Sequence, residues 1–172
     1  MTRLVVVAGL TAATGVLAVP TGAPVVAVGS AGPNLAAPPA VIVQYGHVRS
    51  LVRSGSRYRM RFDPALWLSG ATANRAAAED GVIAPGEAVP NDYYIRDESR
   101  KQLTYFVTPS ARVTIVTNPA SGLRSTRIAV SELAAIVKGK NPNGRKLYGT
   151  GLGYWIRVAS DTVRSLDQQY QP

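Results

Sequence analysis

The sequence predicts a mainly β domain with one or two helices, folded as a small antiparallel β-barrel. Three observations lead there. Strict period-2 alternation runs through "RYRMRFD", with Arg57, Arg59 and Arg61 on one parity and Tyr58, Met60 and Phe62 on the other. Further short runs of strand type, bounded by turn residues, recur along the chain, while helical patterns occupy two short stretches. One of these, "ELAAIVKG", precedes a final pair of strands, where the five-stranded oligonucleotide/oligosaccharide-binding (OB) barrel carries its helix. An open α+β sheet with helices on one side is the alternative.

The elements follow in chain order. "MTRLVVVAGLTAATGVLAV" carries Arg3, then an apolar run from Leu4 to Val19 that Pro20 and Gly22 break, which is the layout of a secretory signal peptide. Small residues place the cut after Ala27 or Ala31. Gly9, Thr11, Thr14 and Gly15 dilute the run, and a membrane span needs about 20 strongly apolar residues. Residues 1–31 are therefore read as signal, 32–40 as a Pro-rich flexible linker, and 41–172 as a single β-rich domain. The expected location is secreted, extracellular or cell envelope, with no mature transmembrane segment.

"VIVQYGHVRSLVRSG" is a long strand in which Ile42, Val48 and Val52 share one parity and Tyr45, His47, Arg49 and Arg53 the other. Gly46 predicts a bulge or sharp coil. Ser54-Gly55-Ser56 turns the chain into "RYRMRFD". Asp63-Pro64 reads as a helix cap followed by Pro, opening one turn through "ALWL". Thr72 is the expected N-cap of a helix through "ANRAAAED", stopped by Gly81. After the loop "VIAPGEAVPND" come strands "YYIRD", "QLTYFV" and "RVTIVT". Ser131 is the expected cap of the second helix, with Gly139 at its C′ position. A Gly-rich basic loop then leads to the hairpin "YWIRV"/"TVRSLDQQY", turning at Ala159-Ser160-Asp161.

The 172 residues suit one domain, and 19 Lys+Arg against 10 Asp+Glu give a formal charge of +9. Removing the signal takes Arg3 and no acid, so the exported product stays strongly basic. Cysteine is absent, which excludes disulfides, thiolate metal sites and a lipid-bearing cysteine. One histidine, His47, makes a zinc site a poor fit. No cofactor and no metal site are expected.

Six acids fall between residues 79 and 98: Glu79, Asp80, Glu87, Asp92, Asp97 and Glu98. Paired carboxylates do general acid/base work in hydrolases. Asn91-Asp92 is equally turn chemistry, and Glu79-Asp80 at a helix end oppose the macrodipole unless a cation such as Arg75 joins them. No Gly-x-Ser-x-Gly motif appears, and "YGTGLGY" lacks the Lys-Ser/Thr of a phosphate loop. The row Arg57, Arg59, Arg61 has same-face neighbours roughly 6.6–6.8 Å apart, near the charge spacing of a polyanion. It serves equally as a solvated outer face that discourages aggregation. Tyr93 and Tyr94 open a strand with one ring inward and one outward. The outward ring, near Tyr105 or Trp155, would line a shallow groove for sugar or peptide.

"ANRAAAEDG", "VPNDYYIRD", "YWIRV" and the closing "LDQQYQP" carry a resemblance to a family of small, uncharacterised bacterial secreted proteins and lipoproteins. It spans about residues 44–172. The resemblance implies export and transfers no activity and no catalytic residues. The chain departs from the lipoprotein members in lacking the anchor cysteine.

The expected function is an exported, non-catalytic domain that binds an anionic or glycan-like envelope ligand or another secreted protein. The candidate ligand-binding residues are Arg57, Arg59, Arg61, Tyr93, Tyr94 and Trp155; no catalytic residue is assigned. The alternative is a secreted hydrolase using the carboxylates of 79–98. Nucleic acid is disfavoured as a partner because export removes the protein from it. Carboxylates converging in a pocket would favour the hydrolase, and carboxylates scattered and paired to arginine would favour the binding domain.

Overall fold

The computed structural model describes residues 39–97 and 101–172. The signal segment, most of the linker and Glu98 lie outside the described residues.

β1 (Ile42–Ser54) and β2 (Arg57–Ser69) form a long hairpin through Gly55, whose φ of 59° suits the tight two-residue turn. The alternation in β2 is realised as expected: Tyr58, Met60 and Phe62 are buried, and Arg57, Arg59 and Arg61 are exposed. The register shift in β1 falls between Val48 and Ser50, three residues beyond the expected position at Gly46. It moves Val52 to the outside and leaves Leu51 in the core. Gly46 serves another need. It faces Pro64, and a Cβ there would collide with the Asp63 carbonyl oxygen.

Asp63-Pro64 does not open a helical turn; it lies inside the 13-residue β2. Asp63 accepts hydrogen bonds from Arg49, a partner 14 residues away that no local pattern reveals. Pairing between β2 and β4 (Leu103–Thr117) ends at Phe62, so Pro64 meets a ladder on one side only. The far end of β2 pairs with β3 (Tyr93–Arg96). Between them stands α1 (Gly70–Glu79), which starts at Ser69, ahead of the expected Thr72 cap, and stops at Gly81 with φ 71°.

β4 joins the two expected strands "QLTYFV" and "RVTIVT" into one 15-residue strand. Its first half pairs with β2, and its second with β5 (Arg124–Ile128), a polar strand that the sequence pattern did not reveal. On its other side β4 runs parallel to β7 (Thr162–Gln168). β7 forms a hairpin with β6 (Tyr154–Ala159), and β6 pairs with β1. The ring β1-β2-β4-β7-β6 is thereby closed, with β3 and β5 as extensions. The molecule is a small β-barrel with one parallel junction, and the open sheet is set aside.

α2 (Val130–Val137) follows β5, with Ala129 in place of Ser131 as its N-cap residue and Gly139 at φ 78° behind it. Its Val130, Leu133, Ala134 and Ile136 join the barrel core beside Phe62, Ile115, Ile156 and Leu166. α1 instead builds a separate small core from Ala73, Ala77 and Val89. Only α2, then, packs into the barrel interior.

Candidate functional site

Strand pairing fixes what surrounds the arginine row. Arg59 stands opposite Phe106 and Arg61 opposite Thr104, both on the outer parity of β4. The Arg57 guanidinium lies over the Phe106 ring, 4.3 Å from its centroid, a cation–π distance. Arg61 donates to the Gln102 side chain at 3.2 Å. A shallow groove of about 270 Å³ runs along Ser50, Val52, Arg59, Arg61 and Thr104. Among the described residues, none of the three arginines has a carboxylate partner. Phe106 and Thr104 were missed as site residues, although the alternation in "QLTYFV" sets them apart from Leu103, Tyr105 and Val107.

The α1–β3 corner is the opposite case. Arg96 donates to Asp80 from Nε at 2.7 Å and from Nη2 at 2.8 Å, to Glu79 at 3.0 Å, and to the Ala76 carbonyl at 2.7 Å. The Tyr94 hydroxyl donates to Asp80 at 3.0 Å. Arg96 holds the Asp80 carboxyl below its ordinary range, with the Tyr94 bond adding against partial burial. The expected partner Arg75 reaches Glu79 only at 3.9 Å. Asn74 accepts from the Val89 backbone at 2.9 Å, tying the loop to α1. Asn91 and Asp92 sit in the left-handed region at φ 62° and 55°, the turn role open to short polar side chains. Glu87 accepts from the Ala84 backbone at 3.1 Å. The segments "AED" and "VPNDYYIR" thus hold one another.

The candidate aromatics are divided. Tyr93 stacks on Trp67 at 4.4 Å, and Trp67 meets Tyr45 and Trp155 at 5.1 and 6.3 Å. Trp155 donates to Gln169 at 3.0 Å, and Gln171 donates to the buried Tyr45 hydroxyl at 2.7 Å. Gln168 accepts from Val116 and donates to Gly149, so the closing "QQYQP" latches the chain end across the barrel. Tyr93 and Trp155 therefore share a cluster, Tyr94 belongs to the α1 corner, and Tyr105 packs with Phe62 and donates to Gln44. Among the described residues, no ring contact links these aromatics to the arginine row.

Other acids are also engaged. Glu132 is buried and bonded to Arg145, which keeps its carboxyl below the ordinary range. Asp167 accepts from Arg112, Arg157 and Thr114 at 2.8–3.2 Å. Among the described residues no group of three His, Asp or Glu is placed to hold a metal, and no helix is long and apolar enough to cross a membrane.

Comparison with known proteins gives no match to a family model, a curated protein or a solved structure.

Proposed function

We propose that this chain is an exported, non-catalytic binding domain whose β1–β2–β4 face takes an extended anionic polymer of the cell envelope. One observation carries the reading: three arginines stand in a row, exposed, with no carboxylate partner among the described residues. A solvated face needs only charge. This face also has a groove, and it has a ring over which one guanidinium is held. An OB-type arrangement supports the same choice of surface. α2 precedes the last two barrel strands, and the face of the second and third barrel strands, here β2 and β4, is the one that fold uses for linear polymers.

The hydrolase alternative keeps one geometric point in its favour: Glu79 and Glu87 both line a cavity of about 580 Å³ beside α1. Against it, these acids are already engaged: Glu79 and Asp80 share Arg96, Glu87 accepts from the Ala84 backbone, and Asp97 lies 4.0 Å from Arg49.

Retention of the protein freed of residues 1–31 on isolated bacterial envelope fractions tests the reading. Salt should elute it steeply. Combining Arg57→Gln, Arg59→Gln and Arg61→Gln should flatten the logarithmic salt slope by about 2–3 while leaving the melting temperature in place. Retention indifferent to both salt and the triple change would sink the proposal.

A further inference from the structure

A second cavity lies away from the arginine row, between β1, the C-terminal end of α2 and the loop before β6. Its volume is about 200 Å³. His47, Arg49, Thr150 and Tyr154 bring polar groups to it, and Val48, Ile136 and Leu152 are among its apolar lining.

Two of the polar groups are unusual. His47 Nδ1 is buried and has no hydrogen-bond partner. The Tyr154 side chain lines the same cavity at 3% exposure, and burial pushes its pKa up. Buried polar atoms are ordinarily paired, so an orphan at a cavity wall calls for a guest or ordered water. Burial, with Arg49 adding, lowers the His47 pKa, so the ring is neutral near pH 7 and offers one donor and one acceptor nitrogen.

The charge around the cavity decides the class of guest. Arg49 binds Asp63 through Nε at 2.8 Å and Nη2 at 2.6 Å, and Asp97 stands 4.0 Å away. The Asp63 carboxylate matches the Arg49 charge, so the cavity is no anion hole. Apolar lining beside separated donors and acceptors matches a ring with an apolar face and a hydroxyl edge. The volume is below the roughly 300–1,000 Å³ of sites for drug-sized ligands, which limits the guest to a single ring.

We propose that this cavity binds a neutral, hydroxylated ring of monosaccharide size, with His47 Nδ1 and the Tyr154 hydroxyl as its specificity-determining partners. The inference does not rest on the arginine row and shares no residue with it.

NMR titration of the ¹⁵N-labelled protein with glucose, N-acetylglucosamine and galacturonate tests it. Saturable shifts should appear at Thr150, Gly151, Leu152 and the His47 ring with at least one neutral sugar, and more weakly with galacturonate. His47→Leu should weaken that binding at least about tenfold, because the sugar hydroxyl loses its partner. The variant should melt no lower than the parent, since it removes an unpaired buried atom. Gly151→Phe is the second variant: a Cβ there meets nothing within 4 Å, so the ring has room at the cavity edge and should block entry. Absence of saturable shifts with all three sugars, which would leave water as the occupant, overturns the proposal. So does a preference for galacturonate, or binding that survives both variants.

Discussion

The β2 arginine row and the α1–β3 corner carry similar amounts of charge in opposite states of completion. In the corner, Arg96 meets two carboxylates and a backbone carbonyl, and Tyr94 adds a further bond to Asp80. On the barrel face, Arg57, Arg59 and Arg61 meet a ring, an amide side chain and solvent. Density of charged residues along the sequence points to the corner as the active region, because six of the ten acids fall between residues 79 and 98. Pairing points the other way. A charge already matched inside the fold holds structure together, and a charge left unmatched at the surface is available to a partner.

The sharpest way to break that contrast is to remove the centre of the corner. Arg96→Met keeps an unbranched side-chain stem and withdraws every bond to Asp80, Glu79 and the Ala76 carbonyl. Two neighbouring carboxylates then face one another at the end of a helix whose dipole already opposes them. Calorimetry should show a melting temperature lower by about 5–10 °C. Envelope retention, once corrected for folded protein, should be unchanged. A variant that melts normally would mean the corner is not structural.

Installing a carboxylate on the barrel face makes the reverse test. Thr104 faces Arg61 across the β2–β4 ladder, so Thr104→Glu gives that arginine a cross-strand partner. The pair is exposed and should alter stability by no more than about 0.5–1 kcal/mol. Retention on envelope fractions should nevertheless fall by about tenfold, because one cation is matched and one anion added. Undiminished retention would show that Arg61 takes no part in binding.

The barrel itself was legible in the sequence because its signals are local. Alternation at 57–62, the turn at Gly55 and the stop at Gly139 each depend on a few adjacent residues. What stayed hidden depends on distant partners. Asp63 looks like a helix cap until Arg49 reaches it across the hairpin, and Arg96 lies 16 residues beyond Asp80. β5, "RSTRI", has little apolar alternation because only Ile128 is buried. The arginine row could be read from spacing alone, but its freedom from carboxylates could not. That Tyr93 and Trp155 lie apart from the row is equally invisible, since Trp67 and the chain-end glutamines draw them to another face.

Acid sharpens the same comparison with a smaller effect. Because Arg96 depresses the Asp80 pKa in the fold, the stability from that carboxylate is fully present above the ordinary aspartate pKa of about 4. It is lost as pH falls through the lower folded value. Melting curves from pH 5 to pH 2 should therefore drop more steeply for the parent than for Asp80→Asn, whose amide does not titrate. Equal slopes would show that Asp80 carries no linked proton. The Arg57–Arg59–Arg61 triple glutamine variant should follow the parent curve, since among the described residues those side chains make no ion pair with the titrating acids.

The smallest effect separates a positioned arginine from a merely exposed one. Arg57 lies over Phe106, so the ring limits where the guanidinium points before any ligand arrives. Phe106→Leu removes that contact and keeps an apolar side chain on β4. A cation–π contact at an exposed site is worth about 0.5–1 kcal/mol, which sets the expected loss of retention at about two- to fivefold. The salt slope should not change, because the number of arginines is the same. That combination, weaker binding at constant slope, is what lost positioning produces. A change in slope would instead mean that the substitution had displaced Arg57 from the ligand altogether, and a row of three would then be functioning as a row of two.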